Sequence, residues 1–397
     1  MKKYLSSLFA FLFTLTGFAQ IDNFTFRFHN DITVIENNDT LELAWSGGIN
    51  AGQFNTVDVN DDGIEDLVVF DQAIQRFVCF LSNGSSYQYG FDYAAIFPPE
   101  SYGWALFRDA NCDGRKDLYT KDPLGGKIYR NMAGPVPYPS WAIFDDVIQH
   151  SNSINVQISE QDIPGIEDID GDGDIDLAIF EFFGGGFMEY HQNISVETVG
   201  DCSISEYNKV TECWGRFFEC PSCGDYDIDL AQSCLIGDTS SNFCTNRVAG
   251  GLHAGSTSLL IDLDGDNDKD LLLGDIGCKQ VSYLENIGSN TFAQIDSAQL
   301  GWPFNTNSID FFTFPALFFI FEVINFQEFS RNRFGTGPVS SIQAFPVALG
   351  NGLVSVFAVP LSGEFRLTAG FRFLSRGTAI VTITGTTALK KEYRRHC

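Results

Sequence analysis

A nine-residue acidic phrase occurs four times in this 397-residue chain, beginning at Asp58, Asp109, Asp168 and Asp262. Each copy has Asp at positions 1, 5 and 9, Asp or Asn at position 3, and Gly or Asn at position 6. Oxygen-bearing side chains spaced this closely around a turn are the ligands that Ca²⁺ takes, about six to eight at a time. Because the phrase recurs, it also indicates a repeat architecture.

The spacing assigns a role to each position of the phrase. A short peptide surrounds a cation only if its backbone turns sharply, and Gly or Asn at position 6 tolerates the positive φ that this turn needs. Position 7 then offers its backbone carbonyl, and the carboxylate at position 9 closes the loop. The candidate calcium ligands are Asp58, Asn60, Asp62, Ile64 and Asp66 in the first phrase, Asp109, Asn111, Asp113, Arg115 and Asp117 in the second, Asp168, Asp170, Asp172, Asp174 and Asp176 in the third, and Asp262, Asp264, Asp266, Asp268 and Asp270 in the fourth.

Other cations suit the phrase less well. Mg²⁺ demands a tight octahedron and gives up water reluctantly. Zinc prefers His and Cys ligands, whereas the phrases hold no His and a single Cys, Cys112. A solvated acidic turn that binds nothing remains the alternative for any one copy, because Asp, Asn and Gly favour turns.

The flanking residues favour β-hairpins over the helix-flanked loops of EF-hands. Each phrase is followed by a short apolar run, such as Leu67–Phe70 and Leu271–Leu273, and no Glu stands at the twelfth loop position. Short apolar runs bounded by turn residues are typical of strands. We therefore expect each phrase to be the loop of a hairpin.

The pattern D-x-[DN]-x-D-G-x-x-D-L resembles the FG-GAP, or VCBS, repeat of integrin-α-like β-propellers, over roughly Gly48 to Ile320. Each copy is also followed by a later run that ends near an Asn, as in that family: Asn83, Asn131, Asn193 and Asn286. The resemblance implies an all-β fold, a propeller of about seven four-stranded blades, with calcium loops on one rim and ligands at positions 1, 3, 5 and 9. The second copy carries Arg115 and Lys116 inside the loop, so we expect it to bind calcium most weakly.

The spacing of the phrases predicts an insertion. Successive copies begin 51, 59 and 94 residues apart, and the first two steps suit one four-stranded blade each. The long step contains six cysteines, which predict a Cys-rich insertion over 195–247 with disulfides among Cys202, Cys213, Cys220, Cys223, Cys234 and Cys244. Half of a zinc ribbon or a redox pair at Cys220 and Cys223 is the alternative. We expect Cys79, Cys112, Cys278 and Cys397 to be free or locally paired.

The N-terminus has the form of an export signal. Lys2 and Lys3 precede an apolar stretch from Tyr4 to Leu15, and small residues end at Ala19. This pattern predicts a secretory signal peptide over 1–19, with the propeller over 20–320. The apolar stretch is shorter than the ~20 residues that span a bilayer, and no later segment is a good transmembrane candidate.

Charge limits the partners. The chain has 51 Asp+Glu against 24 Lys+Arg, a formal charge of −27. Such a chain is a poor match for nucleic acid, whose binding depends on basic side chains. We expect an extracellular protein or polysaccharide as the partner.

The last part of the chain departs from the repeat pattern. Residues 322–397 contain nine Lys+Arg, four Glu and no Asp, although a fifth phrase is due near 321. One hypothesis is that 321–397 is foreign to the family pattern, through a frameshift or a truncated gene, which would leave the ring incomplete and the product without function. The other is a set of diverged blades, because Gly352–Val359 and Thr378–Thr384 have the composition of strands.

These features predict a secreted, calcium-binding β-propeller that acts as a binding or adhesion module rather than an enzyme. A carbohydrate-active enzyme or lectin on the same scaffold is the alternative, favoured if titratable residues cluster in a pocket away from the calcium rim. His253 is the most interesting histidine for catalysis, although a hydrogen-bonded His at a blade turn explains it as well. Candidates for stacking on sugars are Trp45, Trp104, Trp141, Trp214 and Trp302.

Overall fold

The computed structural model describes residues 32–302, except for 37, 42, 50, 133–138, 152, 183–185 and 229–254, together with five later strands at 315–320, 343–349, 352–360, 364–372 and 378–386. The chain divides into two units, Met1–Leu41 and Glu42–Cys397. In the first unit, strands β1 (Val34–Glu36) and β2 (Asp39–Leu41) form an antiparallel hairpin. No helix among the described residues is long and apolar enough to cross a membrane.

The second unit is mostly β, with a propeller-like ring of four antiparallel sheets, each holding one acidic phrase. Sheet 1 contains β3 (Gly52–Val57), β4 (Asp66–Asp71), β5 (Arg76–Ser82) and β6 (Tyr87–Tyr89). Sheet 2 contains β7 (Ala105–Arg108), β8 (Asp117–Asp122), β9 (Gly125–Met132) and β10 (Ser140–Asp145). Sheet 3 has six strands. The hairpin of β11 (Gln149–His150) and β12 (Ile154–Asn155) lies at the edge beyond β16, and β13 (Gly165–Glu167), β14 (Asp176–Phe180), β15 (Met188–Asn193) and β16 (Tyr207–Thr211) correspond to the first to fourth strands of the other sheets and are counted as such. After the small hairpin of β17 (Phe218–Glu219) and β18 (Tyr226–Asp227), sheet 4 contains β19 (Ser256–Ile261), β20 (Asp270–Asp275), β21 (Ser282–Asn286) and β22 (Ile295–Leu300).

Within the described residues, helical structure is limited to short connections. A five-residue helix, α1 (Ser195–Val199), follows β15 and ends at Gly200 in the left-handed conformation, where a residue without a Cβ is favoured. Short 3₁₀ segments occupy Phe91–Ile96 and Trp214–Arg216.

The hairpin prediction is confirmed in all four sheets. The loop of each phrase joins the first two strands of its sheet, with Val57 paired to Asp66 in sheet 1 and Ile261 paired to Asp270 in sheet 4. Sheets 2 and 3 repeat this register with Arg108 opposite Asp117 and Glu167 opposite Asp176. The acidic loops therefore all lie at the same end of their hairpins.

The first strands of the sheets line the inside of the ring. β3 packs against β7, β7 against β13, and β13 against β19. A further strand, β23 (Pro315–Ile320), packs against both β19 and β3, and the rings of Phe54 and Phe318 lie 6.3 Å apart. β23 thus takes an inner position between sheet 4 and sheet 1.

Buried amides join two of these inner strands. The side chain of Gln53 donates to the carbonyl of Gly103 at 3.3 Å and accepts the N–H of Ala105 at 2.7 Å. Asn55, two residues along β3, does the same with the carbonyl of Ala105 and the N–H of Phe107, at 3.1 and 3.2 Å. Two side chains therefore continue, between sheets, the hydrogen bonding that backbone groups supply within a sheet.

The second strand of each sheet is buried on both faces, and in sheets 1, 3 and 4 it is apolar on both faces as well. Residues Leu67–Phe70 and Leu271–Leu273 are all at most 1% exposed. A strand buried on both faces has a continuous apolar run rather than an alternating one. Burial of each such side chain contributes about 1.5–3 kcal/mol relative to exposure.

The two strands expected in the last part of the chain are present as β25 (Gly352–Pro360) and β27 (Thr378–Thr386). β25 lies between β23 and β24 (Gln343–Leu349), and β27 pairs with β26 (Glu364–Arg372). The rest of 321–397 lies outside the described residues, and its origin stays a hypothesis.

The cysteine prediction needs a correction. Cys112 is bonded to Cys202 and Cys223 to Cys278, across 90 and 55 residues of sequence, so the expectation that Cys112 and Cys278 are free or locally paired is wrong. Cys79 is free and buried. A cysteine finds its partner by proximity in the fold, and these bonds join the cysteine-rich segment to sheets 2 and 4.

The other cysteines divide into two groups. Cys213 and Cys220 are disulfide-bonded as well, which removes Cys220 and Cys223 from a zinc ribbon or a shared redox pair. Cys234, Cys244 and Cys397 lie outside the described residues. Within the predicted range of 195–247, β16 pairs with β15 as part of sheet 3.

Candidate metal centre

The turns that the phrases require are present. The backbone φ at position 6 is +83° at Gly63, +85° at Gly114, +105° at Gly173 and +77° at Asn267. Asn267 thus takes the conformation that Gly takes in the other three copies, which is why it substitutes for Gly there.

Backbone N–H groups are drawn inward by the carboxylates of each loop. In every copy the Asp at position 5 accepts the N–H of position 7, at 2.8 to 3.1 Å. In three copies the Asp at position 1 accepts the N–H of position 6, for example Gly63 to Asp58 at 2.8 Å. In the third copy Asp168 accepts the N–H of Gly171 instead. The loops are therefore wound so that the side chains of positions 1, 3 and 5 face one another.

The Asp at position 9 is buried in every copy and holds the sheet together. Each accepts two backbone N–H groups, one from position 2 of its own loop and one from the end of the third strand of its sheet. The second donor is Ser82 for Asp66, Asn131 for Asp117, Asn193 for Asp176 and Asn286 for Asp270, at 2.7 to 2.9 Å. Position 9 therefore has a structural role beside the ligand role that the sequence predicts.

The Asn that follows the second and the fourth phrase bonds to the loop of its own sheet. The side-chain amides of Asn131 and Asn286 donate to the carbonyls of Lys116 and Lys269, which are position 8 of their loops. Sheet 1 differs. There the side chain of Asn83 accepts N–H groups of its own turn, and the backbone N–H of Ser82 donates to Asp66.

Three carboxylates converge in the third and fourth loops. Ligand atoms within 4.8 Å of one another come from three groups: Asp168, Asp170 and Asp176; Asp170, Asp172 and Glu197; and Asp262, Asp264 and Asp266. The first two loops have Asn at position 3, and the amides of Asn60 and Asn111 donate to Asp62 and Asp113 at 2.9 and 3.1 Å. The third loop thus gathers the largest set of carboxylates in the described part of the chain.

Sequence reasoning missed two kinds of residue at these loops. Position 7 was expected to contribute its backbone, yet the side chains of Asp174 and Asp268 are 0% and 5% exposed. Each has one buried oxygen, Oδ1, without a hydrogen-bond partner, as has Asp172 through Oδ2. Glu197 reaches the third loop from α1, outside any repeat, so no motif signals it. Buried oxygens without donors are the arrangement that a hard cation satisfies.

The electrostatics of the loops favour protons or cations. Burial raises the pKa of Asp66 and Asp270 to about 6, of Asp117 to about 7 and of Asp176 to about 8, against the lowering effect of their backbone hydrogen bonds. Burial and neighbouring carboxylates, with one opposing backbone hydrogen bond at Asp174, raise the pKa of Asp174 and Asp268 to about 7. Charge crowded into partly buried loops is costly unless a counter-charge is present.

The second loop contains its own counter-charge. The guanidinium of Arg115 lies 2.5 Å from Oδ2 of Asp113 and donates to the carbonyl of Asn131 at 3.2 Å. Lys116 pairs with Glu65 of the first loop at 2.6 Å. The guanidinium of Arg115 thus pairs with the carboxylate at position 5, whereas position 7 of the other loops holds Ile64, Asp174 or Asp268 and supplies no positive charge.

The stacking and catalytic candidates from the sequence lie elsewhere or in the core. Trp104, Trp214 and Trp302 are at most 8% exposed, so they pack inside the protein. His253 lies outside the described residues.

Fold and loops together define an all-β, propeller-like ring of four antiparallel sheets with acidic hairpin loops at one end. No protein-family model and no curated protein matches the chain. Among solved structures, the chain is similar to an Agrocybe aegerita lectin that recognises non-reducing terminal N-acetylglucosamine, with 15% identity, a TM-score of 0.35, and coverage of 81% of this chain and 77% of the lectin. It is also similar to a Photorhabdus luminescens Tc holotoxin pore chain, with 12% identity, a TM-score of 0.31, and coverage of 83% of this chain and 15% of that chain.

Proposed function

We propose that this protein is a secreted, calcium-stabilised β-propeller of the FG-GAP/VCBS type that acts as a binding module for an extracellular protein or polysaccharide. The observation that carries the proposal is the buried, unpartnered oxygen of Asp174 and of Asp268, each beside converging carboxylates. Oxygen-only ligands in a flexible loop suit Ca²⁺ better than Mg²⁺ or zinc.

Calcium would act on the ring rather than on a substrate. In each loop the cation would offset the repulsion among the aspartates and fix the turn between the first two strands. The Asp at position 9 would link the ordered loop to the sheet, because its carboxylate also accepts a backbone N–H at the end of the third strand. The ring would then be a rigid scaffold whose remaining surfaces are available for binding.

The disulfides and the N-terminal sequence support a location outside the cytoplasm. Disulfides such as Cys112–Cys202 form and persist in oxidising compartments. The millimolar calcium found there would suit loops of modest affinity. The pattern of residues 1–19 supports export independently.

Thermal unfolding with calcium, with magnesium and with excess chelator, at matched ionic strength, tests the calcium part of the proposal. A ligand at a hundred times its dissociation constant stabilises the folded state by about 2.7 kcal/mol per site. We expect calcium to raise the Tm well above the chelator value and magnesium to do less. An Asp172→Asn/Asp174→Asn double variant should lose part of this rise. An equal Tm in all three conditions would refute calcium stabilisation.

A further inference from the structure

A cavity of about 660 Å³ lies at the end of the hairpins opposite the acidic loops. It is lined by residues just after β4 and β14, at the end of β8, and in the segments that lead into β7 and β13. Since the loops lie at the other end of these strands, a strand length of about 17–20 Å separates the two features. The volume is within the range of about 300–1,000 Å³ that small-molecule sites occupy.

Several polar groups of this cavity have unused hydrogen-bonding capacity. The hydroxyl of Tyr102, the side-chain amide of Gln161 and the carboxylate of Glu181 form no hydrogen bond with any residue that the structure describes. Burial, then the carboxylates of Asp122 and Glu160, raise the pKa of Tyr102, so its hydroxyl stays a donor. The cavity therefore offers a donor, an acceptor and an amide that is both.

The charge of the lining argues against an anionic ligand. Three carboxylates contribute to it, Glu160, Asp162 and Glu181, against one cation, Lys121. That ammonium group already donates to the main-chain carbonyls of Asp122 and Gly125. An anion would thus meet carboxylates without a free positive partner, whereas hydroxyl groups can donate to the carboxylates.

The lining of the cavity also includes one aromatic side chain that suits a sugar ring, Phe182. Phe182 follows β14 directly after Glu181, lines the cavity and is 48% exposed. The C–H face of a sugar ring is apolar while its edge carries hydroxyls, so a ring beside free acceptors suits it. None of the five tryptophans that the sequence offers for stacking lines this cavity.

We propose that this cavity binds a neutral saccharide, with Glu181, Gln161 and Tyr102 bonded to its hydroxyls and Phe182 against one ring face. The proposal rests on the proposed role as a binding module and places its ligand away from the acidic loops.

The test starts with the purified full chain on an array of neutral, sulfated or uronate-bearing, and amine-bearing oligosaccharides in calcium. The neutral oligosaccharide that binds most tightly is then titrated into Glu181→Gln and Phe182→Ala, with Phe91→Ala, 43% exposed in the wild type, as the matched control. We expect neutral saccharides to be preferred, with affinity about tenfold lower in the first two variants and unchanged in Phe91→Ala. The Tm of each variant, measured in the same samples, verifies that it is folded.

Absence of neutral saccharide binding, a preference for acidic or amine-bearing glycans, or equal affinity in wild type and both cavity variants would overturn the proposal.

The cavity proposal and the calcium proposal can fail independently of each other. If Glu181→Gln weakens saccharide binding while calcium leaves the Tm unchanged, only the calcium scaffold is refuted. If calcium raises the Tm but no neutral saccharide binds, only the cavity proposal is refuted.

Discussion

The carboxylate of Asp66 accepts the backbone N–H of Ser82 at 2.7 Å, and its other oxygen accepts the N–H of Val59 at 3.0 Å. Asp66 begins the second strand of sheet 1, Ser82 ends the third, and Val59 lies in the acidic loop. One buried side chain therefore ties a loop to two strands, and the same bonds recur in the other three sheets. The carboxylate at position 9 is therefore needed for the hydrogen bonds of the sheet as well as for any bound cation.

Asp66→Ala should destabilise the protein even in excess chelator. The change leaves two backbone N–H groups without an acceptor, and each costs about 1–3 kcal/mol when buried. We expect the free energy of unfolding, measured in urea, to fall by about 2–6 kcal/mol. Asp296→Ala, at an exposed position of β22, should change it by less than about 0.5 kcal/mol. Equal losses in the two variants would contradict the structural role.

The hairpins and their turns were predictable because they depend on local chemistry. Positive φ at position 6, apolar runs after each phrase and oxygen ligands at fixed spacing all act within nine or so residues. Glu197 was not predictable, because it approaches Asp170 and Asp172 from α1 and only the fold brings them together. The cavity residues are spread from Gln72 to Phe182 and share no motif, so the sequence gives no sign of them.

The disulfide between Cys112 and Cys202 was likewise not predictable, because only the fold brings the two cysteines together. Its effect on stability can be tested. A crosslink that closes a long loop restricts the unfolded chain, and its loss typically costs about 2–4 kcal/mol. We expect Cys112→Ser/Cys202→Ser to lower the free energy of unfolding by this amount under oxidising conditions. The matched pair Cys223→Ser/Cys278→Ser removes a shorter connection, of 55 rather than 90 residues. Peptide mapping without reduction verifies the pairings, and recovery of Cys112 as a free thiol would contradict the structure.

Arg115→Ala should strengthen calcium binding at the second loop. The guanidinium lies 2.5 Å from a carboxylate oxygen of Asp113, so a cation entering the loop must compete with it. Because half-exposed ion pairs are weak, we expect a gain in affinity of about two- to fivefold. Arg76→Ala, an exposed arginine outside the loops, controls for the change in net charge. Calorimetric titration with calcium measures the affinity of each variant. An equal gain in both variants would assign the effect to net charge alone.

His150 should make stability sensitive to mildly acidic pH. Burial, then the charges of His191 and Lys209, lower the pKa of His150 below its usual 6.5, while Glu189 opposes them. The unfolded chain then binds a proton at His150 that the folded chain resists, so stability falls as the pH drops through about 6.5 and levels off below the folded-state pKa. The difference in unfolding free energy between wild type and His150→Gln should shrink between pH 7.5 and pH 5.5. Parallel pH profiles would contradict this.

Asn55→Ala should loosen the contact between sheets 1 and 2 specifically. The amide of Asn55 bridges the carbonyl of Ala105 and the N–H of Phe107, and its side chain is 4% exposed. Removal leaves both groups buried without a partner, at a total cost of about 2–6 kcal/mol. Asn208→Ala, at an exposed position of β16, is the matched control. Hydrogen exchange provides the local measurement: the amide of Phe107 should exchange faster in Asn55→Ala by more than the global loss of stability explains, because its acceptor is the amide that was removed. If its exchange follows the global change alone, the amide bridge does not hold the inner strands together.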